Sequence, residues 1–183
     1  MTDIAEKRMT VAEFLTWNDG TDTHYELIDG RPVAMAPVSA SHSVIVINLG
    51  HEIRTRLAAP CYVGGDAGVP HPDRDDNFYE ADLVVSCTPI PPGTTIIPEP
   101  RVIVEVLSPS TVDHDCGRKA YDYRRIPSVQ EIVLVSSEQR HIVIWRRRGA
   151  KWEVEDLIAD AMLELEAVGL QIPFAAIYAD SGV

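Results

Sequence analysis

Val102-Ile103-Val104-Glu105-Val106-Leu107 sets one carboxylate among five aliphatic side chains, and Ser108-Pro109-Ser110-Thr111 follows at once. The run is rich in β-branched residues, too short for a helix and stopped by a proline, so it is expected to be a strand buried on both faces. A buried carboxylate is costly unless a cation, a lysine or a retained proton compensates it, and each of these marks a functional site. The plain alternative is that Glu105 faces an open sheet edge and is hydrated. A second short apolar run, Ala81-Asp82-Leu83-Val84-Val85, carries Asp82 near its start. Two carboxylates converging from adjacent strands are what a hard cation such as magnesium requires, with water and substrate phosphate completing its shell.

Past Ser108, the hydroxyls of Ser110 and Thr111 can cap a helix, and Val112, Cys116, Ala120 and Tyr123 recur at the spacing of one buried face. A helix is therefore expected over residues 111–125, with Lys119 on it. From there Lys119 could reach back to the carboxylate pair, orient a water and stabilise charge developing on a phosphate. Asp115 stands four residues earlier, so an exposed helical ion pair would account for the same lysine without chemistry.

Towards the N-terminus, residues 9–15 read as a short helix with Thr10 as N-cap and Glu13 at the capping-box position. Asp29-Gly30 separates Tyr25-Glu26-Leu27-Ile28 from Arg31-Pro32-Val33-Ala34-Met35, a strong hairpin signal, and Pro32 places the second strand at an edge. Val46, Leu49, Ile53 and Leu57 define the buried face of a helix over residues 41–58, and His42 lies one turn before Val46 on that face. Strand fragments at residues 61–63 and 68–69 precede a polar loop over 71–77. Towards the C-terminus, residues 131–135, 141–145 and 152–154 form an antiparallel meander, and residues 173–178 form a short docking helix.

Composition bounds the rest. Hydrophobic residues make up 45% of the 183 and charged residues 24%, which is globular usage and enough chain for one core. A single domain spanning 1–183, with its core over about 9–178, is expected; there is no repeat, low-complexity tract or second-domain linker. The net charge of -12 gives no general attraction to a phosphate backbone. Arg146, Arg147 and Arg148 form the one basic run that could touch phosphate, though such a run more often solvates a strand end. Cys61, Cys87 and Cys116 are scattered, with no zinc-ligand spacing, and read as reduced thiols. No apolar stretch approaches the ~20 residues of a membrane helix, so no membrane partner and a cytoplasmic location are expected. Asp73, Asp75, Asp76 and Asn77 have the flavour of a calcium loop without its glycine and terminal glutamate, and HExxH, GxSxG and glycine-rich phosphate loops are absent.

In order along the chain, Tyr25-Glu26-Leu27-Ile28-Asp29-Gly30, the helix opened by Ser41-His42, Glu80-Ala81-Asp82-Leu83-Val84-Val85, Val104-Glu105-Val106-Leu107-Ser108-Pro109-Ser110-Thr111 and the segment from Asp115 through Lys119 to Tyr123 resemble the Uma2 family of endonucleases. That family is similar in fold to the PD-(D/E)xK, restriction-endonuclease-like superfamily. The resemblance implies that Asp82 is the motif aspartate and Glu105 the acid of the next strand, both binding metal. Leu107 stands where the motif lysine is expected, and Lys119 looks like its migrated replacement. Ala81 stands where a proline is expected. Glu26 looks like the additional N-terminal acid, and His42 like a further residue of the same pocket.

The resulting expectation is an α/β fold with a restriction-endonuclease-like core, a central mixed β-sheet flanked by α-helices and an antiparallel C-terminal meander. Its function would be metal-dependent endonucleolytic hydrolysis of nucleic acid, DNA ahead of RNA, by a homodimer. Asp82, Glu105 and a strand carbonyl next to Glu105 would hold Mg2+, or alternatively Mn2+; Lys119 would position the water, and Glu26 and His42 would complete the pocket. The rivals are a non-catalytic binding or scaffold module that keeps the fold, favoured if Lys119 faces solvent and Arg101 or Arg118 caps Glu105, and a small-molecule phosphohydrolase with a deep, narrow cavity.

Overall fold

The computed structural model describes residues 8–108 and 115–183. Its elements are α1 (Val11–Phe14), β1 (Tyr25–Ile28), β2 (Arg31–Ala34), α2 (Ala40–Arg56), β3 (Tyr62–Pro70), β4 (Phe78–Ser86), β5 (Val102–Leu107), a π-helical turn (Asp115–Lys119), α3 (Ala120–Tyr123), β6 (Glu131–Ser136), β7 (His141–Arg148), β8 (Lys151–Ile158), β9 (Met162–Leu165), β10 (Leu170–Pro173) and α4 (Phe174–Ile177). The strands from β1 to β8 form one mixed sheet in the order β2-β1-β4-β5-β6-β7-β8, with β3 also paired to β4, and β9-β10 is a separate hairpin. The architecture is the expected mixed α/β one.

Pairing fixes where the crossover must run. β5 and β6 are parallel, Val102 opposite Glu131 through Leu107 opposite Ser136. Parallel neighbours need a connection that leaves the sheet and returns over one face, and here that connection includes the π turn and α3. Alternation along β5 does the rest: Val102, Val104 and Val106 pack with Ile45, Leu49 and Ile53 of α2, while Ile103 packs with Tyr123, Ile126 and Val129 on the crossover side. Glu105 shares the parity of Ile103 and so faces the crossover.

β4 has β3 along the whole of one side, but its other side is divided. β1 pairs there only through Leu27 opposite Phe78, and β5 takes over from Leu83 opposite Val104 to Val85 opposite Val102. Between them Tyr79 to Asp82 face a fork. The pleat also breaks at this point. Tyr79 and Ala81 pack on the crossover face, whereas Leu83 and Val85 pack on the α2 face. On β3, Asp66, between the pairs Gly65 with Leu83 and Ala67 with Ala81, holds a left-handed φ of 46°.

Several boundaries differ from the sequence reading. The helix expected over 41–58 is α2, capped by the Ser39 side chain, and its buried line runs through His42, Ile45, Leu49 and Ile53, with Val46 and Leu57 at the margin. The two fragments at 61–63 and 68–69 are one nine-residue strand, β3, because β4 begins at Phe78 and pairs with its full length. The described part of the helix expected over 111–125 is the π turn followed by one α turn. Ser110, Thr111, Val112 and the side chain of Cys116 lie outside the described residues. The hairpin β9-β10, missed in the sequence, buries Leu163, Leu165, Leu170 and Ile172 beside α2 and α4. Cys61 and Cys87 are not reduced thiols but a disulfide, because the β3-β4 register, ending at Tyr62 opposite Ser86, sets them side by side across 26 residues of chain.

α4 is tied to β7 by Tyr178, whose hydroxyl donates to His141 O at 2.9 Å and accepts from His141 N at 3.2 Å. Burial pushes this phenol up to about 12 from its ordinary 10.0. The folded protein keeps that proton where the unfolded chain releases it, so the associated stability is complete below pH 10 and disappears as pH rises towards 12. Urea melts across that window are expected to show a falling stability whose slope is shallower in Tyr178→Phe; equal slopes would place the loss elsewhere.

Candidate active site

The fork in the sheet is filled by side chains that do the work of a missing strand. Glu80 N–H, without a strand partner on that side, donates to Glu26 Oε1 at 3.0 Å, and Val106 N–H donates to Asp82 Oδ2 at 2.6 Å. Lys119 enters from the crossover, its Nζ 2.7 Å from Glu26 Oε1, 3.4 Å from Glu105 Oε1 and 3.5 Å from Glu80 O. Tyr123, one turn further on, donates its hydroxyl to Glu105 Oε1 at 2.6 Å. From the α2 side, His42 Nε2 lies 3.3 Å from Asp82 Oδ1. A carboxylate only accepts, so Nε2 carries the proton in this contact. His42 Nδ1 is buried with no hydrogen-bond partner.

Glu26, His42, Asp82, Glu105 and Lys119 thus line one cavity of about 330 Å3, together with Glu80. Glu26, Glu105 and Lys119 are only 6%, 3% and 4% exposed. Lys119 is therefore not the exposed helical ion-pair residue of the plain reading. Neither arginine named as a possible cap reaches Glu105: Arg101 donates to Ala167 O and Arg118 to Asp29. Among the described residues, four carboxylates against one ammonium give the cavity lining a formal surplus of negative charge. The Glu80 carboxyl is raised above its ordinary value chiefly by desolvation, with the nearby His24 opposing and Glu26 and Asp66 adding smaller rises.

A second layer of partners holds the lysine's turn in place. Arg118, the residue before Lys119, reaches Asp29 at the β1-β2 turn at 2.6 Å. Arg74 reaches the same carboxylate oxygen at 2.6 Å, and the two guanidinium groups hold Asp29 far below the usual carboxylate range. Asn77 Oδ1 accepts from Asp29 N at 2.8 Å, its amide donates to Tyr79 OH at 3.1 Å, and Tyr79 OH donates to Asp122 Oδ2 at 2.6 Å. The Tyr79 and Tyr123 rings meet edge to face. Asp29, Asn77, Arg118 and Tyr123 are read in the sequence for other roles, and Arg74, Tyr79 and Asp122 are not singled out there. The available signals were Tyr123 at i+4 from Lys119 and Glu80 two residues before Asp82.

A family model for Uma2, described as "putative restriction endonuclease", matches residues 11–175. The chain belongs to the Uma2 family. An uncharacterized protein of Synechocystis sp., slr1290, is 31% identical over 179 residues, covering 93% of this chain and 92% of that one. A second from the same organism, sll1609, is 24% identical over 159 residues, covering 84% and 90%. Among solved structures, a protein from Anabaena variabilis described as a putative nuclease belonging to DUF820 superposes with a TM-score of 0.74 at 17% identity, covering 93% of this chain and 98% of that one. This Uma2 chain accordingly has a nuclease-like fold.

The basic run is used internally. Arg146 is buried against Glu131 and Glu155 and donates to Glu164 O; Arg147 donates to the carbonyls of Arg124, Ile126 and Val129 and stacks on Trp152; Arg148 pairs with Glu153 and Glu166. The acidic loop is likewise tied to arginines, Asp73 to Arg125 and Asp76 to Arg74. Among the described residues, no group of three or more His, Cys, Asp or Glu side chains is arranged to hold a metal, and no helix is long and apolar enough to cross a membrane.

Replacing the central cation tests this electrostatic picture. Lys119→Met removes the ammonium beside two deeply buried carboxylates and is expected to cost about 3–5 kcal/mol in urea unfolding, with part regained in Glu26→Gln/Lys119→Met. A cost below ~1 kcal/mol, the range of exposed pairs, would show that Lys119 does not hold the carboxylates.

Proposed function

We propose that this Uma2 chain is a magnesium-dependent endonuclease that hydrolyses phosphodiester bonds in nucleic acid, with DNA ahead of RNA. The observation that supports the reading is the convergence of Asp82, Glu105, Glu26, His42 and Lys119, from five separate elements, around one cavity. Magnesium commonly takes one or two carboxylates and completes its shell with water and substrate oxygens, so the pair Asp82 and Glu105 fits its demands without a third protein ligand. The surplus negative charge argues the same way, since an anionic phosphodiester could not approach it uncompensated. Manganese suits the same oxygen donors.

Asp82 and Glu105 would hold the ion, which when bound polarises a phosphate oxygen and lowers the pKa of a bound water. The other residues act on position and charge. Glu26 holds Lys119 at 2.7 Å in the cavity lining, where the ammonium can donate to the attacking water or to a phosphate oxygen. Tyr123 fixes one Glu105 oxygen. His42 and the Val106 amide orient Asp82. A homodimer is part of the proposal on the commonness of two-fold pairs.

Calorimetric titration of Mg2+ and Mn2+ into wild type and Glu105→Ala, with cleavage of single- and double-stranded DNA followed in parallel, tests the reading. Wild type is expected to bind and cleave and the variant to do neither, while Lys119→Met lowers kcat by about 10²–10³-fold, the scale of one lost transition-state donor. No metal binding by wild type would sink the nuclease and leave the non-catalytic module as the better account.

A further inference from the structure

Beside the ionic groups, part of the cavity wall is apolar. It is made by Ile28 and by Val33, Met35, Pro37 and Val38 of β2 and the segment joining it to α2. Val33, Met35 and Val38 are 44%, 37% and 54% exposed and belong to none of the apolar clusters that build the core. Three large apolar side chains left in solvent at the rim of a charged cavity mark a contact surface. The segment is anchored at both ends, by Met35 N–H to His24 O at 2.9 Å and by the Ser39 cap on His42 N–H at 3.2 Å, so the rim stands as a fixed wall.

We propose that this wall receives an unpaired nucleobase, and that the substrate of the site is single-stranded or locally unpaired nucleic acid. The inference rests on the nuclease reading for the identity of the substrate. At about 330 Å3 the cavity lies at the small end of small-ligand pockets, matched to one extruded nucleotide. A base against Val33, Met35 and Val38 places its own phosphate towards Lys119, which lines the same cavity. In a duplex each base is stacked and paired, and its phosphates stay outside a rim beneath which Glu26, His42, Glu105 and Lys119 are at most 6% exposed. Base contact is sequence-tolerant, because every base has an apolar face.

Fluorescence anisotropy tests the proposal with dye-labelled, phosphorothioate-linked probes in Mg2+: a single strand, its blunt duplex and an abasic strand of equal length. The base-bearing strand is expected to bind about tenfold or more tightly than either of the others. In Met35→Ser/Val38→Ser its Kd should rise towards that of the abasic strand, with the urea midpoint held because both side chains are exposed. A duplex that binds equally well, or an abasic strand that binds as tightly as the base-bearing one, overturns the inference, as does absence of binding to all three. Base-dependent binding without metal binding or cleavage would retain this surface while removing the nuclease reading; metal-dependent cleavage with no base dependence would do the reverse.

Discussion

The ammonium of Lys119 is the constraint on which the centre of the molecule depends. Where β1 leaves β4 and β5 has not yet joined it, the sheet loses its ladder, and backbone groups in the interior must find other partners or the fold pays a desolvation cost. Glu26 supplies an acceptor for Glu80 N–H and Asp82 one for Val106 N–H. Carboxylates serve as backbone acceptors in such a place only if something offsets their charge, and Lys119 lies between Glu26 and Glu105 to do so. The same atoms therefore close the gap in the sheet and create the cavity.

Position follows from topology as much as from side-chain chemistry. A parallel β5-β6 pair obliges the chain to cross one face of the sheet, and that crossing brings Lys119 and Tyr123 over the side of β5 to which Glu105 points. The turn that carries Lys119 is π-helical, a form that widens the helix by a residue and recurs at functional sites. Here consecutive residues of the turn serve different partners, Arg118 holding the β1-β2 hairpin through Asp29 and Lys119 holding the ionic cluster. The buried chain of Asn77, Tyr79 and Asp122 stiffens the link between hairpin and turn.

Much of this was legible in the sequence because the residues broke local rules. Glu105 within five aliphatics and Asp82 in an apolar run contradict the burial their neighbours predict, and Asp29-Gly30 can hardly be anything but a tight turn, with φ of 50° and 74° in the structure. What stayed hidden was what only register can reveal. Cys61 and Cys87 look unrelated until β3 and β4 align along nine residues each. Tyr79, Asp122 and Asn77 are individually unremarkable polar residues whose meaning lies in mutual contact across the crossover. The hairpin β9-β10 did carry a period-two signal, Leu163 and Leu165 against Leu170 and Ile172, but each strand is only four residues long, where helix and strand patterns are hard to separate.

The overall charge of -12 can be reconciled with an anionic substrate once the arginines are followed to their partners. Arg146, Arg147 and Arg148 stabilise the meander rather than a ligand, and Arg74, Arg118 and Arg125 are each paired with an aspartate. No basic stripe along these residues remains to track a duplex backbone, the usual electrostatic footprint of a DNA-binding surface. On the proposed reading, recognition would come from short-range contacts inside the cavity, where a bound cation would reverse the local field beside the apolar rim. An acidic exterior is compatible with such a site. It withholds the long-range attraction that gives non-specific duplex binding and would leave discrimination to contacts within the cavity.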